Sequence, residues 1–135
     1  MKARGFAMTE ALVALAVFGV AVTGSLGLAL EGFATTLEAR RAQQAAVLAA
    51  DLAGRIAVLP GVDWTSLPAV ALCEPGCSPA QLAALELARW RQVLGETLPA
   101  AGATLAPGST GSLLLRLEWI ETGGAARELE LEIVP

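Results

Sequence analysis

The sequence contains no histidine. That removes the commonest general base and the commonest metal ligand. It has only two cysteines, Cys73 and Cys77, and two thiols without histidine do not build a structural zinc site within one chain. Charged residues make up 16% and aromatic residues 4%, against 55% hydrophobic. The chain is too apolar to be disordered, and too unevenly apolar to be an ordinary globule. Basic residues number 9 against 13 acidic, a net charge of −4, and nothing forms a basic patch for nucleic acid. No proline precedes Pro60. No catalytic constellation, metal-ligand set or cofactor motif stands out, so the expectation is a protein that is not an enzyme and holds no cofactor.

What is present begins with an apolar run. Ala11 to Leu30 carries no charge. At about 1.5 Å per residue, such a helix is roughly 30 Å long, the thickness of a bilayer's hydrocarbon core. Lys2 and Arg4 precede it, so the N-terminus should stay cytoplasmic and the remainder face outward. Without those two residues 7 basic side chains stand against 13 acidic ones, and the exported part is acidic, at −6.

The helical signal continues past Leu30. Phe33, Leu37, Ala45, Leu48, Leu52, Ile56 and Leu59 recur in steps of three, four or eight, while Glu38, Arg40, Arg41, Gln43, Gln44, Asp51 and Arg55 take the other side. Asp51 and Arg55 have the spacing of a helical ion pair. Pro60-Gly61 ends the pattern. The reading is one helix from Phe6 to Leu59, roughly 80 Å long at the standard rise. Its first half is apolar all round and its second half is amphipathic.

A loop rich in proline and glycine follows and contains the cysteines. In an exported domain the pair reads as one structural disulfide, with two free thiols or a redox pair as the alternatives. "SPAQ" then opens a second helix: Ser78 can cap, Pro79 suits the first position, and Gln81 completes a capping box. Leu87, Trp90, Leu94 and Leu98 mark its buried stripe, and Pro99 closes it. Near the C-terminus the period changes from 3.6 to 2. Leu113, Leu115, Leu117 and Trp119 alternate with Leu114, Arg116, Glu118 and Ile120, and Leu129, Leu131 and Ile133 alternate with Glu128, Glu130 and Glu132. This is a hairpin with one apolar face. Both inward sets are odd-numbered, so the loop must have an odd number of residues. A three-residue loop around Gly123-Gly124 fits, with one glycine at positive φ. One such register sets Trp119 against Leu129, Leu117 against Leu131 and Arg116 against Glu132. "ATLA", Ala103 to Ala106, is a candidate short strand. The sheet is expected to cover the outer half of the long helix. Trp64, Trp90 and Trp119 read as packing residues rather than a ligand platform.

The N-terminus admits three readings. A plain single-pass anchor explains Lys2, Arg4 and the apolar run, but not Gly5-Phe6 or Glu10. A signal peptide cut after Ala29 would have an apolar region longer than the usual 7 to about 15 residues, and its cleavage would remove half the helix. In the third reading, Gly5-Phe6, then Glu10 as the fifth residue from Phe6, then an unbroken apolar helix, the segment resembles the class III leader of type IV pilins. Ala7, Met8 and Thr9 depart conservatively from the family's commoner G-F-T-L-I-E. The resemblance implies cleavage between Gly5 and Phe6 by a membrane-embedded prepilin peptidase, and methylation of the new N-terminus at Phe6. It also gives Glu10 a reason. A lone carboxylate near hydrocarbon is expensive. In a filament of staggered subunits, Glu10 of one chain meets the Phe6 ammonium of another in a dry core. The plainer alternative leaves Glu10 in the lipid headgroup zone.

Gly19, Thr23 and Gly27 are spaced by four and form a small-residue ridge where helices can approach closely. With Gly24 and Gly32 they weaken the helix by about 1 kcal/mol per glycine relative to alanine. Ordinary membrane-helix composition is the alternative explanation.

"ARRAQQAAVLAADLAGRI", the cysteine pair ahead of the Trp90 helix, and "LEWIE" in the hairpin are similar to the minor pilins called type IV pilus modification proteins, the PilV-like group. The resemblance implies an α+β, pilin-like fold: a long N-terminal membrane helix packed on a small antiparallel β-sheet, with one additional helix. The expected organisation is a leader over 1–5, a transmembrane half-helix over 6–30 and an amphipathic half over 31–59. A small periplasmic domain over 60–135 follows, with its second helix at about 79–98 and its hairpin at about 112–134. The expected function is a minor, assembly-priming pilus subunit. Its partners would be prepilin peptidase, the major pilin, other minor pilins and the inner membrane, and its final location the pilus at the cell surface. A type II secretion pseudopilin shares the leader and helix. A membrane-tethered periplasmic binding domain that never polymerises is the alternative of another class.

Overall fold

Alanine and leucine dominate the stretch before Pro60, and both are strong helix formers. The computed structural model describes residues 8–69 and 76–134, and there helix α1 runs unbroken over Met8–Val58. Gly5, Phe6 and Cys73 lie outside the described residues. The chain divides into two compact units, one through Ala39 and one from Arg40.

In the first unit every side chain from Met8 to Leu37 is exposed. Phe33 and Leu37, expected on the buried stripe, are 69% and 49% exposed. Periodicity marked their face correctly as apolar, but no element of their own unit covers it. In the second unit the stripe is buried: Ala45, Ala49, Leu52 and Ile56 are in the core, with Leu48 and Leu59 packed against it.

Helix α2 spans Pro79–Thr97. Its capping box is in place: the Gln81 N–H donates to Ser78 Oγ at 3.3 Å, and the Ser78 N–H donates to Gln81 Oε1 at 2.9 Å. The Leu98 N–H closes the last turn on Leu94 O at 2.9 Å, and Pro99 prevents a further one. Leu87, Trp90, Leu94 and Leu98 are all buried, together with Ala83 and Ala84. Trp90 Nε1 donates to Leu48 O of α1 at 2.9 Å.

Strands β1 (Gly102–Pro107), β2 (Leu113–Ile120) and β3 (Ala126–Ile133) form an antiparallel sheet in the order β1-β2-β3. Between β1 and β2 the Gly108 N–H donates to Ser112 O at 2.8 Å. A Cβ at Gly108 would stand 2.4 Å from Ser112 Oγ, so a larger residue would displace the hydroxyl that donates to Ser109 O and Glu132. The odd-numbered residues of β2 face the core, where Leu113, Leu115, Leu117 and Trp119 join α1, α2 and Trp64 in a single cluster. The architecture is therefore α+β: a long N-terminal apolar helix, one further helix and a small three-stranded antiparallel sheet.

The hairpin register differs from expectation by two residues. Trp119 stands opposite Arg127, Leu117 opposite Leu129 and Arg116 opposite Glu130. The three-residue loop is Thr122-Gly123-Gly124: the Glu121 N–H donates to Ala125 O, and the Gly124 N–H to Glu121 O, both at 2.8 Å. Such a loop needs its third residue left-handed, and Gly124 has φ +81°. The expected register would have put Ala125, with its Cβ, at that position. Parity alone left both loops open, and the glycine decides between them. Gly124→Ala should accordingly cost about 1–2 kcal/mol, read as a lowered midpoint in urea, whereas Gly123→Ala should cost less.

Candidate functional site

Two places in the molecule carry candidate functional chemistry. The first is the N-terminal part of α1. It is long and apolar enough to cross a membrane by length and composition. Glu10 lies exposed in its first turn. Gly19, Thr23 and Gly27 follow on one side of the helix, and a Cβ at Gly19, Gly24, Gly27 or Gly32 would meet nothing within 4 Å. Four hydroxyls of this segment are satisfied within the helix. Thr23 Oγ1 donates to Gly19 O at 3.1 Å and to Val20 O at 3.0 Å. Ser25 Oγ donates to Ala21 O at 2.8 Å, Thr35 Oγ1 to Gly32 O at 3.0 Å and Thr36 Oγ1 to Gly32 O at 2.7 Å. A helix surrounded by hydrocarbon needs its polar groups satisfied internally. Four of its hydroxyls are, whereas Glu10 places a carboxyl group at the segment's start.

The second place lies in the unit from Arg40 onward. Glu121 is 4% exposed. Its Oε2 accepts from Arg41 Nη1 at 2.6 Å, and its Oε1 accepts from Trp119 Nε1 at 2.8 Å. Arg41 Nη1 also donates to Thr122 Oγ1 at 2.8 Å. The guanidinium first, and the indole N–H second, hold the Glu121 carboxyl below the usual carboxylate range. The cluster clasps α1 to the β2–β3 turn. Both carboxylate oxygens are engaged and the group is shielded from solvent, which suits a fixed structural anion rather than a proton carrier. Sequence reasoning missed this pair, whose members are 80 residues apart. One signal was available: Glu121 continues the odd-numbered, inward-facing series of β2, where a carboxylate needs a partner.

Asp51, Arg55, Glu86 and Arg89 form a chain of ion pairs between α1 and α2. Arg55 Nε donates to Asp51 Oδ2 at 2.8 Å, Arg55 Nη1 bonds to Glu86, and Arg89 Nη1 lies 3.4 Å from Glu86 Oε1. Asp51, Arg55 and Glu86 rim a groove of about 440 Å³ whose apolar lining includes Val58 and Leu82. These pairs are partly open to water, so each is worth at most about 1 kcal/mol.

Ahead of the cysteine loop, Asp63 organises a turn. Its Oδ2 accepts from Ser66 Oγ at 2.6 Å; its Oδ1 accepts from Thr65 Oγ1 at 2.6 Å and from the Thr65 N–H at 2.9 Å. The turn presents Trp64, only 2% exposed, to the core. The Ser66 hydroxyl, then the Thr65 hydroxyl and N–H, lower the Asp63 carboxyl from 3.8 to about 2. The folded value is depressed, so the stabilisation is present above pH 3.8 and is lost as the pH falls toward 2. Asp63→Asn should thus melt below the parent protein at neutral pH, and the two melting curves should converge in acid. Glu132, held low by the Ser112 and then the Ser109 hydroxyl, adds to acid sensitivity with the same sign.

Cys77 is disulfide-bonded, and the only other cysteine in the sequence is Cys73. Among the described residues no group of three or more His, Cys, Asp or Glu side chains is placed to hold a metal ion. Trp64, Trp90 and Trp119 are all buried. No family model matches the chain, no curated protein matches it, and no solved structure matches it.

Proposed function

We propose that the chain is a minor structural subunit of a type IV pilus, of the PilV-like group, held in the inner membrane until it enters the filament or its initiation complex. In this reading prepilin peptidase cuts between Gly5 and Phe6, and the new Phe6 amine is methylated. The unit from Arg40 onward is periplasmic and then surface-exposed. The role is one of assembly rather than catalysis, and the partners are the major pilin and other minor pilins.

The observation that carries the reading is the outward-facing apolar surface of α1. From Met8 to Leu37 every side chain is exposed, Leu15, Phe18, Leu28 and Leu30 among them. An apolar surface of this extent needs a covering. Lipid supplies it before assembly and neighbouring helices supply it afterwards, the Gly19–Thr23–Gly27 ridge allowing close approach. Glu10, in the first turn, then has a task that lipid alone does not give it: pairing with the Phe6 ammonium of an adjoining subunit. The single disulfide engaging Cys77 suits an oxidising, exported location.

The test is the composition of filaments sheared from the native host. The polypeptide should be recovered with them, and should disappear from that fraction when prepilin peptidase is deleted. Recovery only in the membrane fraction would favour the tethered binding domain. Absence from pili with cross-linking to a type II secretion apparatus would favour the pseudopilin.

A further inference from the structure

Among the described residues, strand β3 has one neighbour in the sheet, β2. The bond from the Glu121 N–H to Ala125 O fixes which of its backbone groups face β2. Hydrogen-bonded and non-hydrogen-bonded pairs alternate along an antiparallel ladder. Arg127, Leu129, Leu131 and Ile133 therefore bond to β2, while Ala126, Glu128, Glu130 and Glu132 direct their N–H and C=O groups to the free edge.

The same residues set the charge beside that edge. On the outer face of the sheet, Glu118, Glu128, Glu130 and Glu132 stand with Arg116 as the cation among them. Arg116 is shared, 2.5 Å from Glu130 and 3.4 Å from Glu128. Glu118 stands directly opposite Glu128, in a non-hydrogen-bonded pair, where side chains are closest. Like charges facing each other there destabilise a sheet, and the one guanidinium of Arg116 offsets this only by being divided among several carboxylates. The arrangement also bears on what can occupy the edge. A second β3 would bring glutamates against glutamates. Among the described strands and loops, no segment of this chain carries basic side chains at alternate positions.

The geometry points to β3 as a docking edge for another protein, which adds an extended segment with lysine or arginine at every second position as a fourth strand. The backbone groups of Ala126, Glu128, Glu130 and Glu132 supply the ladder. The partner's cations add to Arg116 in neutralising the glutamate row. Strand addition of this kind draws affinity from main-chain bonds and specificity from alternate side chains. The inference does not depend on the filament reading.

The test uses the full chain in a zwitterionic detergent and an eight-residue peptide alternating lysine and valine, with a glutamate–valine peptide as control. Amide exchange should slow by about tenfold at 126, 128, 130 and 132 with the lysine peptide alone, and the effect should fade in high salt. Glu128→Pro removes one outward N–H while leaving the β2 ladder intact, and should abolish the effect. Retained protection at Leu129 and Leu131 verifies the fold of that variant, and Glu128→Gln, which keeps the N–H, should weaken binding only partly. Equal slowing by the glutamate peptide, slowing elsewhere on the protein, or peptide binding without slowing at those four amides would overturn the proposal.

Discussion

Trp90→Ala should destabilise the folded unit from Arg40 onward by about 3–5 kcal/mol. Trp90 is 1% exposed and lies in the one core cluster that α1, α2 and the sheet share. Truncation opens a cavity where three elements meet, so collapse to fill it is restricted. It also removes the bond from Nε1 to Leu48 O, worth about 1 kcal/mol. Total stability of a small domain is about 5–15 kcal/mol, so the variant should lie close to unfolding at physiological temperature. Thermal unfolding of the full chain in detergent, followed by circular dichroism, should show a loss of more than about 12 °C. Trp90→Phe keeps most of the bulk and should lose far less. A drop of only a few degrees for Trp90→Ala would mean that the core is not organised around this ring.

Glu10→Ala should leave that same unfolding transition unchanged and yet lower incorporation into filaments at least about tenfold. Glu10 is exposed in the single chain, so the fold does not draw on it. Its expected work begins in the filament, where an unpaired ammonium in an apolar surround would be strongly penalised. Glu10→Gln separates charge from shape: it keeps the length and the polar tip, and should fail nearly as badly as alanine. Wild-type incorporation of either variant would reduce Glu10 to an acid in the headgroup zone.

Much of the unit from Arg40 onward was legible in the sequence because local rules govern it. Ser78, Pro79 and Gln81 fixed the start of α2, Pro99 its end, and the alternation from Leu113 to Trp119 the buried face of β2. Loop parity fixed the number of residues between β2 and β3 as odd, but not where they fall. That depended on which residue had to be left-handed, and Gly124 rather than Ala125 met the demand. The Arg41–Glu121 clasp was invisible to any local window, since it joins residues 80 apart. Phe33 and Leu37 show a further limit. A helical period reports which side chains share a face, not whether the same chain covers that face. The candidate site divides in the same way. Glu10 and the glycine ridge were readable as a pattern along one helix. The edge of β3 became meaningful only once the ladder showed which backbone groups turn outward.

Intact-mass analysis of the protein from its native host tests the central claim most directly. A mature chain that begins at Phe6 and carries one added methyl group is the predicted result. A chain that begins at Met1, or at Leu30, would contradict it.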